Sequence, residues 1–370
     1  MKKYYRLIPS LLVLIVGINI SVGIYFKEKD EFLHTKNKEL TDIVTIQINA
    51  VRKELDETFT SIELLKYLFE MNSEISREEF KNYATSILTI NTDIKAISWV
   101  PKIEENNRLK FKSKILNEKI IQDFAITERN KQNKLITATK RDLYFAVEYI
   151  EPLEENTQAL GYDIFSDEKR KLTIINAIDN KNIQITPVIK LVQDTIGNSF
   201  LGILPVFDYS KSTKDTINYK NVKGLISTVF KVDQLINNAL LDTEGHDIEL
   251  HIYDITNDLN EKIYSSGNSF DLTHNQKRII TIGGRVWELN FTPKPIFYEN
   301  KDAYSNLIFG LLITLIVSLL ILFYQIKGKK NKKMLFRLEA EKKVRRQAEK
   351  SLLKIEEFQA NILKTAMDGF

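Results

Sequence analysis

The sequence predicts an α+β domain on a long stalk helix, flanked by two transmembrane helices and followed by a cytoplasmic coiled-coil helix. Three observations predict it. Two uncharged apolar runs, residues 7–26 and 303–326, bracket almost three quarters of the chain. The first run is followed by a stretch with neither Gly nor Pro up to Glu70. Beyond it, short β-branched and aromatic runs alternate with helical ones.

Each apolar run supplies at least the ~20 helical residues, at ~1.5 Å each, that cross a hydrocarbon core of ~30 Å. Lys2, Lys3 and Arg6 precede the first, and Lys327, Lys329, Lys330, Lys332 and Lys333 follow the second. The positive-inside bias then puts both termini in the cytoplasm and residues 27–302 outside. A cleaved signal peptide, with Ser21-Val22-Gly23 as its processing site, is the rival reading of the first run. The apolar run continues through Ile24, Tyr25 and Phe26, which favours an anchor. The expected organisation is a cytoplasmic N-terminus 1–6, a span 7–26, a stalk 27–72, a membrane-distal subdomain 73–230 and a membrane-proximal one 231–302. A span 303–326, a cytoplasmic helix 327–361 and the opening of a truncated domain at 362–370 complete it.

The net charge of +4 averages unlike parts. Residues 327–350 hold eleven Lys or Arg against three Glu, whereas residues 27–326 sum to about −6. A mildly acidic outer domain gives no support to nucleic-acid binding. The basic tail suits the anionic inner leaflet, which attracts each Lys or Arg by ~1 kcal/mol. With no cysteine, disulfides and thiolate metal sites are excluded. An outer domain without disulfides fits a bacterial envelope, hence an inner (cell) membrane location with residues 27–302 periplasmic or extracellular.

In the stalk, Val44, Ile48, Val51, Leu55, Ile62, Leu65 and Phe69 recur at helical steps and make one apolar stripe. Ser76 and Glu79 stand at capping-box spacing and open a second helix to about Thr89. Strands are expected at 94–103, 143–150, 200–207 and 224–230. A helix is expected at 167–178, with Ser166 as its N-cap. Another follows at 232–240. Ile248, Leu250 and Ile252 alternate with Glu249, His251 and Tyr253 as in a half-buried strand, and Gly283-Gly284 reads as a two-residue hairpin turn between 278–282 and 285–291. Past the second span, 339/343 and 341/345 are spaced for ion pairs. Ala348, Leu352, Ile355 and Ile362 form a short seam that fits a parallel dimer or, failing that, a solvated basic helix.

At Trp99-Val100-Pro101 and across 144–207 the chain resembles the CHASE domain, the extracellular sensor of many receptor histidine kinases and cyclases. The most specific pieces are Tyr149-Ile150-Glu151-Pro152-Leu153-Glu154-Glu155-Asn156, Gly161-Tyr162-Asp163, Ser166-Asp167 with Arg170, Ile185-Thr186-Pro187, Leu191-Val192-Gln193 and Leu204-Pro205-Val206-Phe207. His251-Ile252-Tyr253-Asp254-Ile255-Thr256 is similar to a segment of the plant cytokinin receptors. The resemblance implies two PAS-like α/β subdomains stacked along the stalk, the distal one holding a small-molecule ligand, purine-like or otherwise small and polar. It places Thr186 on the position of a ligand-binding Thr, and Glu155 or Asn156 near that of a ligand-binding carboxylate. Tyr149 and Phe207, ending neighbouring strands, are expected as pocket walls. The last residues resemble the opening of a PAS domain.

His246, Asp247, Glu249 and His251 offer metal-capable atoms without a second group to complete a cage, so neither metal nor cofactor is expected. No zincin helix, serine elbow or phosphate-binding glycine loop occurs, so no catalytic residue is assigned. The function implied is an extracytoplasmic small-molecule sensor of a homodimeric receptor. It would act through an output domain beyond Phe370, a histidine kinase first and a diguanylate cyclase next, and reach a response regulator only through that domain. The alternatives are a membrane-anchored envelope enzyme and a non-catalytic scaffold subunit.

Overall fold

The computed structural model describes residues 8–72, 74–189, 198–209, 219–267 and 274–367. Residues 1–7, the Leu191-Val192-Gln193 piece of the resemblance and residues 368–370 of the expected PAS opening lie outside the described residues. The chain divides into two compact units, residues 36–298 and residues 1–35 with 299–370.

The absence of Gly and Pro after the first apolar run has the expected consequence: α1 (Ile8–Met71) is one helix. All seven residues of its anticipated stripe are buried, joined by Leu40 and Ile43. Helix α2 (Arg77–Ile90) opens on a complete capping box: the Glu79 amide donates to Ser76 Oγ at 3.2 Å, and the Ser76 amide donates to Glu79 Oε2 at 2.8 Å. Ser76→Ala is expected to cost about 1 kcal/mol, read as a lower urea midpoint with an unchanged m-value.

The stripe of α1 packs on an antiparallel sheet. Its strands are β1 (Ile94–Glu104), β4 (Leu143–Phe145), β5 (Tyr149–Glu151), β6 (Gln184–Ile185), β7 (Ser199–Phe207) and β8 (Val222–Lys231). The order is β4-β1-β8-β7-β6, with β5 also pairing to β1. Helix α3 (Arg108–Asn117) and the hairpin β2 (Thr127–Arg129)–β3 (Leu135–Thr137) lie between β1 and β4. The single strand expected at 143–150 is two strands. Between them Val147 exchanges backbone hydrogen bonds with residues 161–162, its amide donating to Tyr162 O and its carbonyl accepting from Gly161 N. Side chains alternate across the sheet. Ile97, Trp99, Phe200, Leu204, Ile226 and Phe230 share a core with α1, while Ala96, Val100, Leu201, Ile203 and Leu225 belong to a core on the opposite side.

That second core is closed by α4 (Leu153–Asn156) and α5 (Glu168–Asn180). The cap of α5 is Asp167 rather than Ser166. The Arg170 amide donates to Asp167 Oδ1 at 3.0 Å, while the Ser166 hydroxyl, ending a short 3-10 turn, donates to Asp163 O.

After α6 (Val232–Leu240) comes a second antiparallel sheet, β10-β9-β12-β11, of β9 (Ile248–Asp254), β10 (Glu261–Ser265), β11 (Gln276–Ile282) and β12 (Arg285–Pro293). Gly283 and Gly284 make the β11–β12 turn with φ of +48° and +76°, a region that favours glycine. Strand β9 departs from the half-buried expectation. Glu249 and His251 are buried as well, His251 Nδ1 lying 2.8 Å from Ser265 Oγ. Leu250, Ile252, Trp287, Leu289 and Phe291 join the core of α1, so both sheets are built on one continuous hydrophobic cluster.

In the other unit, residues 8–35 of α1 and helix α7 (Lys301–Met367) run antiparallel. By length and composition both α1 and α7 are apolar enough to cross a membrane. They meet through small residues: Gly17 backs on Thr314, Gly310 on Ser21, and Ser318 Oγ donates to Ser10 O at 3.1 Å. Such contacts let helix backbones approach closely in lipid. At one end Asn306 Nδ2 donates to Glu28 at 3.3 Å. Residues 326–363 of α7 are solvent-exposed, the Leu352, Ile355 and Ile362 seam included, and Arg345 pairs there with Glu349 at 3.3 Å.

Candidate functional site

On the sheet face away from α1 lies a cavity of about 40 Å³. Its floor comes from alternate residues of three strands: Ala96 and Ser98 of β1, Ser227 and Val229 of β8, and Leu201 of β7. Register aligns them in rows, Ala96 opposite Val229 opposite Leu201, and Ser98 opposite Ser227. The roof is Asn156, Ala159, Tyr162, Ile164 and Arg170, with Lys95, Val147 and Ile150 at the sides. A small space with an apolar floor and a few placed polar groups is the form of a small-ligand site.

The roof is held by buried hydrogen bonds. Asp163, fully buried, accepts from the amides of Phe145 at 2.9 Å and Phe165 at 3.1 Å, and Arg141 lies 3.3 Å from its other oxygen. Burial pushes the Asp163 carboxyl up to about 6 in spite of those donors. Gly161, with φ of +77°, turns the chain into this roof, and a side chain there would meet Ala125 O at 2.7 Å. Arg170 is 6% exposed. Its guanidinium carbon lies 5.1 Å from the Tyr162 ring centroid, and its Nε has no hydrogen-bond partner among the described residues. Tyr162 and Arg170 also line an outer hollow of about 610 Å³ that contains Arg129, Asp167, Asp233 and Glu261.

Of the five residues singled out from sequence, Asn156 lines the inner cavity, its Nδ2 donating to Pro152 O at 2.7 Å. Glu155, next to it on α4, is exposed. Thr186 is buried against the strand edge, where its hydroxyl accepts from Leu201 N at 3.0 Å and its amide donates to Leu201 O at 2.9 Å. It holds the backbone of Leu201, a residue of the cavity floor, from the end of the neighbouring strand. Tyr149 faces the α1 side: its hydroxyl donates to Ile75 O at 3.1 Å, its ring lies 5.6 Å from Phe80, and burial raises the hydroxyl to about 12. Phe207 is buried on the cavity side of the sheet but does not line the cavity.

Sequence reasoning passed over Ser98, Ser227, Tyr162 and Arg170 as site residues. For Arg170 a signal existed. On α5, positions 170, 173, 174, 177 and 178 are the buried stripe, and Arg170 is the charged residue on it. A cation at a core position of an amphipathic helix marks a buried polar site.

The CHASE domain profile matches residues 73–264. The chain belongs to the CHASE domain family. No curated protein matches it. Among solved structures it is similar to the ligand-binding domain of the Campylobacter jejuni chemoreceptor Tlp3, solved with L-valine. The identity is 9%, with 74% of this chain and 98% of that one covered, at a TM-score of 0.39. It is also similar to the extracellular domain of a protein assigned as a histidine kinase, at 10% identity, 74% and 98% coverage and a TM-score of 0.42. A third is an extracellular ligand-binding receptor from Desulfohalobium retbaense, at 11% identity and a TM-score of 0.40. There 71% of this chain is covered, but it spans only 40% of that receptor's length.

Proposed function

We propose that this CHASE-family chain is the sensory region of a two-pass bacterial membrane receptor. A small molecule binds outside the membrane in the cavity between the first sheet and the α4–α5 roof. The observation that carries the proposal is that cavity, lined by Lys95, Ser98, Ser227, Asn156, Tyr162 and Arg170 beside apolar residues, on the opposite sheet face from α1. Each strand of the floor presents its next residue to the α1 core, so a shift of the floor reaches α1 through one layer of backbone. The end of α1 is tied to the same strands: Lys223 Nζ donates to Phe69 O and Asn72 O at 2.9 Å each, and Trp99 stacks on Phe69 at 4.0 Å. A ligand with unequal affinity for two arrangements shifts their populations, and a coupling of about 1–3 kcal/mol suffices.

In this reading the two sheets are PAS-like subdomains on one stalk, the receptor is a homodimer, both termini are cytoplasmic, and α7 delivers the signal to an output domain such as a histidine kinase. Thr186 contributes by holding Leu201 in the cavity floor, and Asn156 by contact with the ligand.

The full chain in lipid nanodiscs, screened by thermal shift against a metabolite library, should gain several degrees with a specific compound. Ser227→Leu, which fills the floor, should abolish that gain. A gain that survives Ser227→Leu unchanged places the site elsewhere. Reporter fusions at residues 200 and 340 should report opposite sides of the membrane; the same side refutes the receptor topology.

A further inference from the structure

The inner cavity is lined by a buried cation, Arg170, that makes no ion pair among the described residues. Arg170 is more than nine-tenths buried, its Nε–H is unpaired, and arginine stays charged at any physiological pH. Asp167, Asp233 and Glu261 share the outer hollow with Arg170, and none of them forms an ion pair with its guanidinium. Asp167 accepts from the backbone amide of Arg170, and Asp163 accepts from Phe145 and Phe165 and faces Arg141. No Asp or Glu is among the residues lining this cavity. The Tyr162 ring beneath the guanidinium orients it but takes no N–H hydrogen bond in its plane. A buried charged donor left unpaired is costly, and an anion bound against it removes that cost.

We propose, resting on the sensor reading above, that the ligand is a small organic carboxylate. One carboxylate oxygen accepts from the Arg170 Nε–H, a charge-assisted hydrogen bond in the plane of the guanidinium. The short carbon body lies over Ala96, Leu201 and Val229, and a polar substituent, where present, meets the Ser98–Ser227 pair. The apolar floor of Ala96, Leu201 and Val229 favours a carboxylate with a short carbon body over inorganic phosphate, which has no apolar part to place there.

The test uses the full chain in nanodiscs and needs no mutation at first. Acetate, propionate, butyrate, 3-methylbutanoate, glycine, alanine and β-alanine are titrated by calorimetry beside their primary amides. Inorganic phosphate and a panel of purines and sugars are titrated in parallel. At least one carboxylate should bind, and its amide, of nearly the same shape but uncharged, should bind at least tenfold more weakly. Arg170→Lys, which keeps the charge and loses the planar fork, should weaken the carboxylate at least tenfold. Equal affinity for acid and amide, or binding of phosphate or of a neutral compound without any carboxylate, overturns the carboxylate assignment and leaves the sensor reading standing. Binding by none of these compounds overturns both.

Discussion

Phe230→Ala is expected to destabilise the 36–298 unit by about 3–5 kcal/mol, the range for removing a fully buried aromatic side chain. Phe230 is wholly buried and stands in a row of rings drawn from four elements. It stacks on Phe200 of β7 at 4.9 Å and 18°, and meets Phe59 of α1 edge-on at 5.9 Å. Phe200 in turn meets Trp287 of β12 at 5.8 Å and 72°. The cavity left by truncation would open where α1 and both sheets share one core, and Gly202, whose Cβ would already touch the Phe230 ring at 2.8 Å, has no side chain to fill it. Because the rings bridge the two sheets, urea unfolding followed by tryptophan fluorescence should stay a single transition with a lower midpoint. Ile279→Ala, on an exposed position of β11, should move the midpoint by less than about 0.5 kcal/mol. A loss below about 1 kcal/mol for Phe230→Ala, or two separate transitions in the wild type, refutes the shared core.

Much of this architecture was legible locally. The α1 stripe, the Ser76–Glu79 box and the Gly283-Gly284 turn each carry their signal within a few residues, and each forms as expected. Strand order was not legible in that way. β1 pairs with β4 and β5 about forty to fifty residues on, and with β8 more than a hundred residues on. No local pattern states those partners. The short β2–β3 hairpin and α3 are likewise set by packing around Phe111, Phe124 and Tyr144 rather than by periodicity.

The site shows the same division. Asn156, singled out because it follows a strand in a polar loop inside the strongest family stretch, lines the cavity. Tyr149 and Thr186 lie in family stretches too, yet one points to the α1 core and the other closes a strand edge. Which face of a sheet a residue occupies depends on register, and a shift of one position exchanges the faces. The resemblance points to segments that border the cavity, and register separates cavity residues from the core residues beside them.

Asp93 is expected to make the protein less stable as pH rises from about 4 to about 6. It is fully buried just before β1, and neither carboxylate oxygen has a hydrogen-bond partner among the described residues. Burial pushes its carboxyl from the ordinary 3.8 up to about 6, with its own amide and the Thr58 hydroxyl of α1 offsetting part of the rise and Glu54 adding repulsion. The neutral acid is therefore the form the folded state prefers. Between the two values the folded chain binds the proton more tightly than the unfolded chain, so the stability that protonated Asp93 contributes is fully present below about 4 and is lost as pH rises through about 6. Two pH units correspond to about 3 kcal/mol. Asp93→Asn, which keeps the shape and cannot ionise, should be more stable than the wild type by about 2–3 kcal/mol at pH 7 and equal to it near pH 4. Asp163, raised in the same window, titrates in both proteins and cancels in their difference. Chemical denaturation at pH 4, 5, 6 and 7 reads that difference directly. Parallel pH profiles for the two proteins, or a variant less stable at pH 7, would mean that Asp93 is held as a charged, paired group against α1 after all.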